Sequence, residues 1–562
     1  MSSSNSMNSS IIQQNLSLLS LGTLCKSLAI LGLVLFLFYT FLFKALHYQP
    51  SDLLSTIKQK WPTSSPISIN DPPTNISHIV FSIAGSMNTW KYKKPYNEAW
   101  WRPNMTRGYL FLDRAPTQEF QPWPSTSPPF RVNEDLNILR IYPRLVPSVQ
   151  VQVRMLRRIM ETFKLGDKDV RWYVMADDDT VLFVDNLVEV LAKYNHSKFY
   201  YIGSSSEFIP SNGGLSFEMA FGGAGFALSY PLVEVLATQL DDCIERYVHV
   251  DFSDFMLHLC LADLGVSLTH EKGFHQIDLR SDISGFLSAH PPSPFLSLHH
   301  IDTIDPIFPS MNRFESINHL MKAAKVDQSR LLQQTICHYR PSNWSFSISW
   351  GYSVNVYENI FPQSLLRRPL ETFRPWWGNA RPSVYMFNTR WTSNDSCEAP
   401  HVFFLDSVEH YTQGDQIVTT YFRASPRGLP GCSLTGNHSA DAITKIQVFS
   451  PARMRMEARG RDCCDIVSTA NTSVAEVKYR TCMKDEGRSR HCNISGALDT
   501  LKRTIGPLVV FDTPEQSEFL NLKVIFDTPE QSELLESPGA QFPKDSLSNA
   551  EEKTFRHFLV LS

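Results

Sequence analysis

One stretch restricts the possible folds of this chain more than any other: Trp172 to Phe183, which reads WYVMADDDTVLF. An apolar run is followed by three consecutive aspartates and then by a second apolar run. Adjacent carboxylates repel one another, and flanking residues that become buried leave little water to solvate them. The triplet is therefore either an ordinary acidic turn after a strand or the place where a positive group binds.

The sequence around the triplet predicts an α/β layered sheet. His78 to Ser86 (HIVFSIAGS) is typical of a short buried strand, and Val149 to Phe163 follows a helical pattern. After the triplet, DNLVEVLAKY predicts a helix with Asp185 as its N-cap, and Phe199 to Gly203 predicts a strand. The segment AFGGAGFALSYPLVEVL predicts a glycine turn that leads into a further helix. Strands that alternate with helices at this spacing indicate an α/β fold.

The composition changes after residue 335, and this change sets the predicted domain boundaries. Residues 77–335 form the predicted α/β domain, and residues 336–505, rich in cysteine and tryptophan, form a predicted, mainly β domain. Residues 506–562 form a tail in which FDTPEQSE occurs twice, starting at Phe511 and Phe526. Two copies are too few for a repeat architecture, so we expect the tail to be functionally minor.

An apolar segment near the N-terminus predicts a membrane anchor. Ser27 to Phe43 contains no charged residue and would span about 26 Å as a helix, slightly short for an average bilayer. A cleaved signal peptide is the alternative, but the run is long for one and no small-residue cleavage site follows. We predict a cytoplasmic tail over 1–26, a transmembrane signal anchor over 27–43 and a stem over 44–76.

Sequons and cysteines favour a secretory lumen for the rest of the chain. Of ten cysteines, all except Cys25 follow the anchor. In an oxidising compartment they predict a disulfide-braced region, whereas a zinc site, the alternative, would need better ligand spacing than Cys463–Cys464 offers. Beyond the anchor, sequons of the form N-x-S/T begin at Asn75, Asn104, Asn195, Asn343, Asn394, Asn437, Asn471 and Asn493. We therefore predict a single-pass type II membrane protein. With 52 basic and 56 acidic residues, the chain gives little support to nucleic-acid binding.

Carboxylates at the end of an apolar strand suit a hard divalent cation. The carboxyl edge of an open α/β sheet is where such folds bind ligands, and Mg²⁺ or Mn²⁺ would relieve the repulsion within the triplet. The same ion can bridge the phosphates of a nucleotide. A second interpretation is the D-x-D-x-V-L motif of haloacid-dehalogenase-like phosphatases, with Asp177 as nucleophile and Asp179 as acid. No convincing downstream acidic pair supports the phosphatase hypothesis.

Two further motifs extend the possible site. Gly222-Gly223-Ala224-Gly225 allows backbone N–H groups to approach a ligand, although a tight packing turn explains the same residues. Histidines follow in GFHQIDL (His275) and in SLHHID (His299, His300), and a histidine can complete a carboxylate metal site. Each signal is weak alone, but their order along the chain is specific.

Taken together, VFSIAGS, WWRPNMTRGYLFLD, RWYVMADDDTVLF, FGGAGFALSYP, GFHQIDL and SLHHID closely resemble a plant family of Fringe-related glycosyltransferases. The resemblance covers about residues 78 to 500. It implies a Rossmann-like GT-A domain, a family-specific C-terminal region and a type II Golgi protein with its catalytic domain in the lumen. It also implies metal-dependent, inverting transfer of a hexose or N-acetylhexosamine from a UDP-sugar to a glycan or glycoprotein, forming a β-1,3 linkage.

The resemblance also assigns roles to individual residues. Asp179 and, of the histidine pair, His300 resemble the ligands of Mn²⁺ or Mg²⁺. Asp177 and Asp178 resemble the groups that contact the ribose and the donor sugar. The loop of Gly222, Gly223, Ala224 and Gly225 resembles the donor-site loop.

The position of the general base departs from the family pattern. Relatives carry Gly-Ser-Asp-Asp-Arg where this chain reads Phe252-Ser253-Asp254-Phe255-Met256, so one carboxylate is replaced by a phenylalanine. Asp254 is the predicted catalytic base, and Asp251 is a spare candidate. If the missing carboxylate is the base, the protein is a UDP-sugar-binding pseudoenzyme. Cys243 and Cys260 flank this segment and would form either a disulfide or two buried thiols.

Overall fold

A mixed seven-stranded sheet carries the acidic triplet. The strand order across the sheet is β3 (Phe130–Val132), β2 (Arg107–Leu112), β1 (Ile79–Gly85), β4 (Trp172–Asp177), β7 (Phe226–Ser229), β6 (Tyr201–Gly203) and β8 (Leu268–His270). Strand β1 runs parallel to β2 and to β4, and β2 runs parallel to β3. Strand β7 pairs antiparallel with both β4 and β6, and β6 runs parallel to β8. The central strands are buried on both faces, as near-continuous apolar runs predict.

Helices cover both faces of this sheet. The described α-helices are α1 (Trp90–Trp100), α2 (Pro147–Lys164), α3 (Val184–Leu191), α4 (Ile209–Gly214), α5 (Tyr230–Tyr247), α6 (Ser253–Asp263), α7 (Ser284–Ser288), α8 (Arg313–Val326) and α9 (Gln363–Leu366). Pro147 and Pro231 lie in the first turns of α2 and α5, where a missing backbone N–H costs nothing. Helices α2, α5 and α6 share one core with one face of the sheet. The core on the other face continues into a second sheet.

That second sheet has eight strands and confirms the prediction of a β-rich C-terminal region. Its order is β11 (Gln334–Tyr339), β12 (Trp344–Ser349), β13 (Ser353–Tyr357), β15 (His401–Tyr411), β16 (Gln416–Arg423), β17 (Lys445–Pro451), β19 (Val474–Thr481) and β18 (Asp462–Ser468). Two short ribbons complete the strands: β5 (Val181–Leu182) with β10 (Ser297–Leu298), and β9 (Leu279–Ser281) with β14 (Phe373–Pro375). The α/β fold class is thus confirmed.

The computed structural model describes residues 72–378, 384–411, 415–432, 439–452, 462–468 and 473–483. The predicted cytoplasmic tail, the anchor over 27–43, the stem before residue 72 and the duplicated tail lie outside the described residues. Within the described ranges, no helix combines the length and apolarity needed to cross a bilayer.

Two local predictions were wrong. Phe183, not Asp185, is the N-cap of α3, and Asp185 lies in the first turn, where it pairs with Arg102 through two 2.6 Å bonds. The glycine turn leads first into strand β7 rather than directly into a helix. The run FALS is buried between β4 and β6, and periodicity over four residues cannot distinguish such a strand from the start of a helix.

Disulfides brace both regions. Of the two alternatives for Cys243 and Cys260, the structure shows the disulfide, which joins α5 to α6. The other described bonds are Cys337–Cys464, Cys397–Cys432 and Cys463–Cys482, so all eight cysteines within the described ranges are paired. A bond that closes a 17-residue separation is worth about 3 kcal/mol in the chain-entropy account, which helps to hold α6 and its first-turn Asp254 in place.

Candidate functional site

Antiparallel pairing brings the acidic triplet and the glycine loop to one edge of the sheet. Strand β4 ends at Asp177, and β7 begins at Phe226, which is paired with Met175. Because β7 runs in the opposite direction, the loop before it lies beside the residues that follow β4. Thr180 fastens the two segments together: its hydroxyl donates to the Gly223 carbonyl at 2.8 Å and accepts the Asp177 N–H at 3.0 Å.

The glycine loop needs glycine because of its neighbours. Gly225 has φ +84°, in the left-handed region, and its N–H closes a turn onto the Gly222 carbonyl at 2.9 Å. A Cβ on Gly223 would overlap the His299 ring, and a Cβ on Gly222 would overlap the Asp254 carboxylate. The Ala224 N–H is bound by Gln276 at 2.8 Å. The loop is therefore packed directly against two of the candidate site residues.

Asp179 is paired with two cationic or protonatable groups. Its Oδ2 accepts a 2.7 Å hydrogen bond from Lys93 on α1, and its Oδ1 lies 3.0 Å from His299 Nε2. Lys93 also bonds Asp302 at 2.5 Å. Burial alone would raise the pKa of Asp179, but His299 and Lys93 outweigh it and hold that pKa well below its usual range. Asp179 is therefore ionised at neutral pH.

The two histidines of the pair have different partners. Leu298 of β10 pairs with Val181 of β5, which brings the following His299 against Asp179. His300 instead lies with Nδ1 3.2 Å from Asp278 Oδ1, within ion-pair distance, and its ring centre is 4.0 Å from that of His299. The predicted ligand His300 is thus adjacent to the triplet, while His299 makes the direct contact.

Asp177 and Asp178 are crowded carboxylates. Asp178 is 8% exposed, and burial together with the neighbouring Asp179 raises its pKa well above the usual range. Burial also raises the pKa of Asp177, although Arg158 opposes the shift from 3.5 Å away. Arg158 is itself buried in α2 and donates to the carbonyl oxygens of Ser82 and Ala176. It therefore joins the middle of β1 to the end of β4, next to the triplet.

Asp254 joins the same site from the first turn of α6. Its Oδ2 accepts a 2.8 Å hydrogen bond from the N–H of Gly222, the first glycine of the loop. Burial raises its pKa to about 6, and the negative charge of Asp177 adds to the shift. Phe255, the next residue, stacks on His258 with ring centres 6.1 Å apart. A half-buried carboxylate that ionises near neutral pH is suited to accept a proton.

The donor atoms at this edge fit a divalent cation chemically. At this edge, three buried atoms make no hydrogen bond within the described part of the chain: Asp177 Oδ1, Asp178 Oδ2 and His299 Nδ1. The nearby His300 Nδ1 faces Asp278 Oδ1 at 3.2 Å. Carboxylate oxygen and imidazole nitrogen are ligands of Mn²⁺ and Mg²⁺. Yet nowhere in the described ranges do three or more His, Cys, Asp or Glu side chains gather as a preformed metal cage. The ammonium of Lys93 lies where Asp179 would meet an added cation.

Some functional groups could not be assigned from the sequence. Lys93 and Arg158 reach the triplet from helices α1 and α2. The only sequence signal for either residue was the Arg157-Arg158 pair, two charged residues next to apolar ones in the predicted helix. His275 lies elsewhere, in a buried chain with Glu207 at 3.0 Å and His290 at 2.8 Å. Burial raises the pKa of Glu207 to about 8, and its Oε2 binds the Ile277 N–H at 2.8 Å. These hydrogen-bonded side chains support the loop that carries Asp278.

Comparison with known proteins gives partial matches. Residues 211–464 match a family described as "Protein of unknown function, DUF604". A human protein named beta-1,3-glucosyltransferase is 29% identical over 153 residues, which are 26% of this chain and 28% of that protein. The mouse protein of the same name is 29% identical over 138 residues, 24% of this chain and 27% of that protein. The chain thus spans less than a third of these relatives' length.

Among solved structures, one match is titled "Mannosyltransferase PcManGT from Pyrobaculum calidifontis in complex with GDP-Man and Mn2+". It has 9% sequence identity and a TM-score of 0.21, and the match covers 49% of this chain and 76% of that one. A similarity at this level does not identify a shared fold.

Proposed function

We propose that this chain is an inverting glycosyltransferase of GT-A type. It would move a hexose or N-acetylhexosamine from a UDP-sugar to a hydroxyl of a glycan or glycoprotein, forming a β-1,3 linkage. The name of the partial human and mouse relatives supports this reaction class. The order of the motifs along the chain supports it independently.

The observation that carries the proposal is the position of Asp254. A carboxylate with a pKa of about 6 is hydrogen-bonded to the glycine loop, close enough to the triplet for Asp177 to raise that pKa. An inverting transferase needs one such base beside its donor site and no covalent intermediate.

The chain's own residues then have distinct tasks. Asp177 and Asp178 would bind the ribose and the donor sugar, and backbone groups of Gly222, Gly223, Ala224 and Gly225 would border the sugar. Asp254 would accept the acceptor's hydroxyl proton as that oxygen bonds to C1 of the sugar. The C1–O bond to the diphosphate breaks with its electron pair, so UDP leaves and the anomeric configuration inverts.

The donor set of the site also supports a metal. Asp179 and His300 would hold Mn²⁺ or Mg²⁺, with His299 beside them. When bound, such an ion neutralises charge that develops on the departing diphosphate. Lys93 already brings one positive charge to Asp179, 2.7 Å away, at the position that the ion would take.

We also propose a Golgi location as a type II membrane protein, with the described region in the lumen. The four disulfides within the described ranges support an oxidising compartment. The anchor predicted from the sequence over residues 27–43 is the other basis of this proposal.

A pseudoenzyme is the second candidate, and Phe255 favours it. An aromatic ring occupies the position of the second carboxylate and stacks on His258. Such a protein would keep the donor site but not turn the donor over. The phosphatase hypothesis predicts instead that Asp177 attacks a phosphate monoester and that UDP does not bind.

A donor-consumption assay tests the three functions. The purified full-length protein is incubated with UDP-glucose, UDP-galactose or UDP-N-acetylglucosamine, Mn²⁺ and a panel of glycan acceptors, and released UDP is measured. Acceptor-dependent release supports the transferase. UDP binding without release supports the pseudoenzyme, and hydrolysis of a phosphate monoester that Asp177→Asn abolishes supports the phosphatase.

A further inference from the structure

A segment of the C-terminal region returns to the candidate donor site. We call residues 370–377 the strap. Phe373–Pro375 of the strap pair antiparallel with Leu279–Ser281, the strand that directly follows Asp278. The strap also packs closely against helix α7, because a Cβ on Gly285 would overlap the carbonyl of Leu370. A part of the chain far from the triplet in sequence is therefore built into the loop that faces it.

The last strap residues reach the histidine pair. The Trp376 indole lies nearly parallel to the His300 imidazole, with ring centres 4.5 Å apart and planes 9° apart. Arg280 holds Trp376 in turn: its guanidinium carbon is 4.4 Å from the centre of the indole, and its Nε donates to the Trp376 carbonyl at 2.6 Å. The ring on His300 is thus fixed by contacts of its own.

His300 needs such support. Its backbone has φ +53°, a left-handed conformation that a non-glycine residue keeps only when its surroundings impose it. Its ring is bounded by His299 on one side, by Asp278 at the Nδ1 edge and by Trp376. Trp376 is the only one of these three that comes from the region beyond residue 335.

We propose that Trp376 is a positioning residue that orients His300 toward the triplet, so that the C-terminal region completes the donor site. The expected effect on binding of a metal-bridged nucleotide rests on the proposed function. The orientation of His300 by Trp376 rests on the contacts described above alone. Partners in the outer shell of a metal site commonly change affinity by about 10–100-fold when they are removed.

Three variants of the full-length protein test this role. Trp376→Ala removes the ring, Trp376→Phe keeps an aromatic face on His300, and Trp377→Ala is the matched control. Trp377 is 45% exposed and makes its described ring contact with Phe208, not with His300. Modification of His300 by diethyl pyrocarbonate, followed by peptide mass spectrometry, reports the contact without any ligand. Titration of UDP in Mn²⁺ and in EDTA reports its consequence.

We expect His300 to become more reactive in Trp376→Ala, with restoration in Trp376→Phe and no change in Trp377→Ala. UDP affinity in Mn²⁺ should fall about 10–100-fold in Trp376→Ala, and residual affinity in EDTA should not change. Unchanged His300 reactivity, an equal effect of Trp377→Ala, or an equal loss with and without metal would overturn the inference. If the wild type itself does not bind UDP while His300 reactivity follows Trp376, the proposed function fails and the contact stands.

Discussion

The substitution Asp254→Asn separates the proposed chemistry from the architecture of the site. Asparagine has nearly the same size and keeps an oxygen that can accept the 2.8 Å bond from the Gly222 N–H. It cannot take up a proton at neutral pH. We therefore expect kcat to fall by about 10²–10⁴-fold, the usual contribution of a general base, while UDP affinity is retained.

The same substitution should stabilise the fold. The pKa of Asp254 is raised from its ordinary 3.8 to about 6, so ionising this carboxylate costs the folded protein about 3 kcal/mol relative to the unfolded chain. Because the folded pKa is the higher one, the unfolded state binds fewer protons between these two pH values. The contribution of Asp254 to wild-type stability therefore falls as pH rises from about 4 to about 6, and Asp254→Asn should remove this contribution.

Three measurements on the variant make this prediction refutable. UDP release gives kcat, calorimetry gives UDP affinity, and urea unfolding between pH 4 and pH 8 gives stability. The wild-type rate should also rise with pH through about 6, as Asp254 loses its proton. Asp251→Asn, on an exposed neighbour, is the control and should change nothing. If Asp254→Asn kept the kcat of the wild type, or if only Asp251→Asn lost turnover, the assignment of the base would be refuted.

Two further predictions concern the loop and the second sheet. Gly223→Ala forces a Cβ into the His299 ring. Thermal unfolding should therefore show that the free energy of unfolding falls by about 1–3 kcal/mol, and calorimetry should show a weaker affinity for UDP. Gly213→Ala, with open space around its Cβ, should match the wild type in both assays. Glu358 is buried, and burial alone would raise its pKa. The hydrogen bonds that it accepts from His401 and neighbouring donors outweigh this effect and lower the pKa to about 2. Glu358→Gln should therefore cost roughly 3 kcal/mol at neutral pH, and urea unfolding should show this difference fading as pH falls from 4.5 toward 2.

The parts of the fold that sequence could predict are those fixed by local pattern. The run before Asp177 is a buried strand, and Pro147 starts a helix close to the predicted position. The two-region composition also corresponds to two sheets. The four residues FALS after the glycine loop were assigned to a helix, because only the antiparallel partner strand makes them a strand. Patterns of this length are decided by tertiary contacts rather than by local propensity.

The candidate site was predictable where its residues belong to short motifs that occur in a specific order along the chain. The triplet, the glycine loop, Asp254 and the histidine pair were all named from the sequence, and the structure brings them to one edge of the sheet. Lys93 and Trp376 were not foreseen as partners of Asp179 and His300. Helical periodicity shows which face of a helix is buried, but not which distant carboxylate a lysine on that helix will meet.

Titration of UDP into the purified full-length protein tests the central claim most directly. It is performed calorimetrically in Mn²⁺ and again in EDTA, on the wild type and on Asp179→Ala. The account predicts binding that depends on the metal and is lost in Asp179→Ala, because that carboxylate lies at the centre of the candidate donor site. Absence of UDP binding to the wild type under both conditions would contradict the transferase and the pseudoenzyme alike.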